Sequence, residues 1–238
     1  MSYNLNQQIE KTARVRRLFA AALVLGCAFC TVANAAGQNI TSPATPPIIT
    51  PPAGNSAFLV GNALGTQGYV CLPTPADASI ASWTVNNARP EATLFQTFLG
   101  QDFQIITHFL SPDTNPNGAA PNPLPFGSAT WQSSFDSSKV WAQVPLSNST
   151  TPPSPASIPA GSDPSCPNTG SIACLLLQSI GSLQGPTGGK IMTKTTFVQR
   201  LNTNGGSAPA DGCSVAADVG KQTLVPYTAD YYFFRKGD

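Results

Sequence analysis

One histidine, His108, limits the acid–base and metal chemistry open to this chain. A Ser-His-Asp arrangement would have to use it, and a zinc site would have to combine it with carboxylates. No nucleophile-elbow or metal-ligand spacing surrounds it, so its plain reading is a strand histidine bonded to a neighbour. A second group is Trp131, Asp136, Lys139 and Trp141. The two charges flank a short turn and the tryptophans sit on its arms, a combination suited to a sugar or another flat ligand. Tryptophans so placed are more often core, because a shift of one residue reverses the way a strand side chain faces. His108, Trp131, Asp136, Lys139 and Trp141 together form the candidate ligand patch; no catalytic residue, cofactor site or metal site is assigned. Gly185 to Ile191 fails as a phosphate loop, since Gln184 holds the first glycine position and Ile191 replaces the metal-reaching hydroxyl. Arg200 and Asp230, on two long apolar segments, are expected to form a structural cross-strand ion pair.

The context for these residues is an exported chain. Lys11, Arg14, Arg16 and Arg17 precede an apolar run from Leu18 to Cys30, and Ala33-Asn34-Ala35 supplies the small residues of a cleavage site. Residues 1–35 therefore read as a signal peptide. The apolar window is shorter than the ~20 residues of a spanning helix, so no transmembrane segment is expected in the mature chain. Lipid anchoring at Cys27 is a minor alternative. Without the signal, eight Lys and Arg stand against ten Asp and Glu, and no basic run remains to bind nucleic acid. The matches Asn39-Ile40-Thr41 and Asn148-Ser149-Thr150 would accept glycans only in a eukaryotic secretory pathway.

Export also decides how the cysteines read. Cys27 and Cys30 go with the signal, leaving Cys71, Cys166, Cys174 and Cys213 for an oxidising compartment. Four cysteines allow three pairings. The favoured one joins Cys166 to Cys174 across a short Pro/Asn/Gly loop and Cys71 to Cys213 across most of the domain. In the chain-entropy picture the long bridge contributes on the order of 4 kcal/mol.

Residues 36–56, rich in Pro and Thr, read as a linker ahead of a single β-rich domain over 57–238. Short β-branched and aromatic segments at 67–72, 80–85, 91–95 and 103–110 are separated by turn residues. A Pro/Asn/Gly loop over 111–128 follows, then a hairpin of 129–133 and 139–144 carrying the tryptophans, then a Pro/Ser surface loop over 145–165. Residues 172–180 fit two helical turns or a buried strand equally. Two long strands, 191–202 and 225–235, meet across a turn at Asn204-Gly205-Gly206. In the first, Ile191, Phe197 and Leu201 are expected on the buried side and Lys194, Arg200 and Asn202 on the other. The second carries aromatics on both sides, as in a strand covered on both faces. The fold class is all-β, an antiparallel sandwich or barrel-like single domain with at most one short helix.

Several of these segments carry a family signature: Gly68-Tyr69-Val70-Cys71, Trp83, Pro90 to Phe95, His108, Trp131, Asp136 to Val140, Val198 to Thr203, Gly205-Gly206, Pro209, Cys213 and Val225 to Tyr231. In this order they resemble the DUF3455 family, a group of secreted bacterial and fungal proteins. The resemblance spans most of 58–235 and is densest in the final third. It implies one domain and a cysteine pair at Cys71 and Cys213, and it supplies no reaction. The chain departs from the family in a lengthened His108 to Trp131 interval and in the Cys166 to Cys174 pair.

The expected function is an exported, non-catalytic β-domain that binds a small molecule, glycan or envelope component in the periplasm or outside the cell. The alternative is an extracellular polymer hydrolase with His108 as base.

Overall fold

The computed structural model describes residues 40–111, 128–147 and 154–237, without the side chains of 86–90. The signal sequence, Cys27, both glycan-acceptor asparagines and nearly all of the 111–128 loop lie outside the described residues.

Among the described residues eleven strands follow one another: β1 (Asn55–Pro73), β2 (Ala81–Phe98), β3 (Gln101–Ser111), β4 (Ser128–Ser133), β5 (Lys139–Gln143), β6 (Leu146–Ser147), β7 (Ser154–Pro155), β8 (Ser157–Ile158), β9 (Cys174–Leu183), β10 (Phe197–Gly205) and β11 (Gln222–Lys236). Three short 3-10 turns accompany them. The main sheet has nine strands in the order β10-β11-β1-β2-β3-β4-β5-β9-β8, and β9 also pairs with β10. That last pairing closes eight of the strands into an up-and-down antiparallel barrel, with β8 laid on the free part of the β9 edge. The all-β expectation holds, and of sandwich and barrel the barrel is the form adopted. Closure leaves no long open edge, which suits strands rich in apolar residues.

Several expected segments are longer in the fold. The segments 80–85 and 91–95 belong to the one strand β2, because the turn residues between them bulge out of the ladder. Tyr69 pairs with Val85 and Gln67 with Pro90, so the four residues 86–89 stand opposite Gly68 alone. A proline is tolerated at such a break in the ladder. Residues 172–180 resolve as strand, since β9 is bonded on both edges. The expected strand 191–202 begins only at Phe197; Met192–Lys194 form a 3-10 turn whose Met192 is buried beneath the barrel.

Alternation then sorts the side chains. Ala63, Leu94, Ile106, Trp131, Val140, Val198, Tyr231 and Phe233 point inward and form the principal core. The outer face of β9, β10 and β11 carries a second cluster of Ile49, Ala156, Ile158, Leu176 and Leu201 around the Cys166–Cys174 bridge. Residues expected as linker and surface loop cover this face. Ile49 is fully buried, its carbonyl accepts from Gln199 Nε2 at 2.7 Å, and Ser42 Oγ donates to Gln199 Oε1 at 2.8 Å. Pro and Thr segments lack periodicity, yet a few apolar residues in them suffice to cap an apolar barrel wall. The same covering explains the aromatics on both faces of β11, with Tyr231 and Phe233 inside and Tyr232 packed in the outer cluster.

Candidate functional site

The two ends of the barrel differ. At one end Leu94, Ile106, Val140, Met192, Val198 and Phe233 fill the interior. Asp136 locks this end. Its Oδ1 accepts from Ser138 N–H and Oγ–H, and its Oδ2 accepts from Ile191 N–H at 2.9 Å. Met192 N–H donates in turn to Ser138 Oγ at 2.9 Å. These bonds hold the Asp136 carboxyl below its ordinary range, although partial burial works against them. Gly189 packs so tightly on the Asp136 side chain that a Cβ there would lie 2.6 Å from its Oδ2. Asp136 is thus a brace between two loops.

Toward the other end the described residues leave the interior unfilled. A cavity of about 510 Å³ lies there, walled by Leu110, Ala129, Trp131, Ala142, Leu175, Leu177 and Tyr231, with Gln67, Tyr69, His108, Gln143 and Arg200 as its larger polar residues. The segment 206–221, between β10 and β11, crosses the rim beside it. Gly205 and Gly206 take φ values of +80° and +81° to turn the chain there, and a Cβ on Gly206 would come within 2.9 Å of Tyr227 and Ile172. The Cys71–Cys213 disulfide fixes this strap to β1. Hydrogen bonds reinforce it: Tyr69 Oη–H donates to the Gly206 carbonyl at 2.7 Å, Trp83 Nε1–H to Asp211 at 2.9 Å, and Cys71 N–H to Lys221 at 2.8 Å. Ser207 and Ala208 of the strap line the cavity. Both expected cysteine pairings are present.

His108 and Trp131 face each other on neighbouring strands and stack, with ring centroids 4.2 Å apart and planes within 6°. His108 Nδ1 lies 2.9 Å from the Thr130 carbonyl. A carbonyl only accepts, so Nδ1 carries the proton and the neutral ring keeps its lone pair on Nε2. Burial pushes the imidazole down to about 4, partly offset by the Thr130 bond and deepened by the Arg200 charge. Trp131 Nε1–H is buried without a hydrogen-bond partner among the described residues. Beyond this pair the patch disperses. Trp141 is opposite Thr130 while Trp131 is opposite Val140, so the two tryptophans lie on opposite faces of the sheet. Trp141 is nonetheless buried, and its Nε1–H also lacks a described partner. Lys139 pairs with Gln132 at the filled end.

Arg200 is the residue the sequence reading misplaced. It was expected on the uncovered side of its strand and paired with Asp230. Instead it stands opposite Tyr231, shares the inner face with Val198, and lines the cavity. Its Nε and Nη2 donate to the Ala173 carbonyl at 3.3 and 2.8 Å. Asp230 faces outward and accepts from Asn62 Nδ2 and Asn202 Nδ2, each at 2.7 Å. Which parity of β10 is inside depends on the covering of its outer face, and that covering comes from Ile49, Ala156 and Ile158, which are not neighbours of β10 in the chain. The inward tyrosines were visible as one parity of β11; only barrel closure turns that parity into a cavity wall. Tyr231 Oη lies 3.0 Å from Tyr227 Oη, and burial raises the Tyr227 phenol well above its ordinary value.

Among the described residues no three His, Cys, Asp or Glu side chains gather as a metal site, and no helix is long and apolar enough to cross a membrane. None of the curated proteins and none of the solved structures matches the chain. The sequence profile of one family, described as protein of unknown function (DUF3455), matches residues 52–235. That match takes in the eight strands of the barrel, short only of Lys236 at the end of β11, and both disulfides, and by it the chain belongs to the DUF3455 family.

Proposed function

We propose that this protein is an exported carrier or sensor domain that holds one small, largely apolar molecule inside its barrel. The observation that carries the reading is the cavity of about 510 Å³, walled by aliphatic and aromatic side chains with a few polar groups among them. That is the size and lining of a site for a small organic ligand. Eight strands leave an interior that side chains can fill or that can hold one such ligand; here the described side chains fill one end only. Two disulfides and the signal-like amino terminus support export.

The hydrolase alternative has no observation in its favour. His108 has one hydrogen-bond partner among the described residues, a backbone carbonyl, and its low basicity suits a neutral structural ring better than a base.

The test is a titration of the mature domain with the neutral dye N-phenylnaphthylamine, alongside Ala129→Phe, which fills the cavity from its wall. Saturable one-to-one binding to the native domain, weakened at least about tenfold (~1.4 kcal/mol) in the variant, is the expected result. Unsaturable binding, or equal affinity in a folded variant, refutes the cavity as the site.

A further inference from the structure

We infer that the ligand of this cavity is an organic anion, an apolar body carrying one carboxylate-like group that meets Arg200. The inference rests on the cavity-binding reading above and adds the chemical class of the ligand. Among the described residues twenty line the cavity, and none of these is Asp or Glu. Arg200 is among them, half-buried, and its bonds are both to the Ala173 carbonyl, which is neutral. Its nearest acid in the sheet ladder, Asp230, is on the other face and is occupied by two asparagines. Among the described residues Arg200 therefore has no anionic partner, which is costly for a cation turned into a poorly solvated space.

The guanidinium is also fixed in place. Donation by Nε and Nη2 to one carbonyl sets its plane, and the N–H groups of Nη1 remain for a further acceptor. A carboxylate accepts such donors at short distance and supplies the missing charge. Tyr231, which lies opposite Arg200 in the ladder and lines the same cavity, puts a phenol in the neighbourhood. His108 does not compete, because as a neutral ring protonated on Nδ1 it offers an acceptor and no positive charge. The opposite polarity, an apolar amine, would find no carboxylate among the described residues of the wall and the Arg200 cation against it.

Matched probe pairs test this: decanoate against decanol, and naphthoate against naphthylmethanol, each displacing N-phenylnaphthylamine from the native domain, Arg200→Gln and Arg200→Lys at neutral pH. The expected result is at least a tenfold preference for the carboxylate in one pair. Arg200→Gln should lose the preference, weakening the carboxylate at least about tenfold more than the alcohol, and Arg200→Lys should keep part of it. Equal affinities within both pairs, or a preference that survives in folded Arg200→Gln, overturns the inference and leaves the cavity reading standing. If Arg200→Gln does not fold, the native preference together with its fall in Arg200→Lys decides; a native preference unchanged in Arg200→Lys counts against Arg200. If the dye and all four probes fail to bind, the cavity reading itself falls and takes the inference with it.

Discussion

His108 is held neutral by its burial, and this makes its titration a stability term with a definite sign. Its folded value is lowered to about 4 while an unfolded histidine titrates near 6.5. The unfolded chain therefore takes up the proton first as the pH falls. The contribution is complete above about pH 6.5 and is lost progressively down to about pH 4, on the order of 3 kcal/mol across the window. Urea unfolding at pH 7 and pH 4.5 should show this loss in the native domain and not in His108→Gln, which cannot titrate. Equal losses in both would mean that other groups govern the window. Asp136 contributes with the same sense, since a lowered carboxyl likewise gives stability above its unfolded value that is lost in more acidic solution. Asp136→Ala should be costlier than a surface charge change, by about 1–3 kcal/mol, because Ile191 and Ser138 N–H lose their acceptor. A thermal melt matching the native one would show that the brace is dispensable.

Among the elements, the strap 206–221 and strand β1 carry the most pointed consequences. The Cys71–Cys213 bridge spans a sequence separation of 142 residues, and its removal in Cys71→Ser/Cys213→Ser should cost roughly 2–5 kcal/mol. The larger effect should be on binding, because the strap would stay tethered only by hydrogen bonds. Faster dye release from the double variant, read by stopped flow, checks this; an unchanged release rate would mean that the strap does not guard the site. Strand β1 has its own constraint at Gly65, where a Cβ would lie 2.6 Å from Ala92 Cβ and press on the Glu91 backbone. Gly65→Val should prevent stable pairing of β1 and β2, seen as loss of cooperative melting.

At the scale of the whole molecule, most strands and both bridges were legible in the chain, and the barrel was legible only as one of two options. Period-two patterns say which residues share a face and are silent on whether a sheet closes on itself. Closure here depends on β9 meeting β10 over Phe197 to Arg200, a pairing of two segments with no special turn between them. The Asn86-Asn87 break could not be told from a hairpin, since a bulge and a turn use the same residues. Of the site, His108 and Trp131 were found by their rarity and chemistry, while Arg200 was missed. Its inward direction comes from Ile49, Ala156 and Leu176 covering the opposite face of the wall, and that is a tertiary fact.

The claim that a molecule sits inside the barrel can be read from the three tryptophans. Trp131 is on the inner wall, Trp83 on the rim bonded to the strap, and Trp141 on the outer side of the β4–β5 ladder. A ¹H–¹⁵N spectrum of the mature domain titrated with N-phenylnaphthylamine reports all three indole N–H groups at once. The account predicts a large saturable shift at Trp131, a smaller one at Trp83 and none at Trp141. A shift confined to Trp141, or no saturable shift at Trp131 while dye is bound, would contradict it.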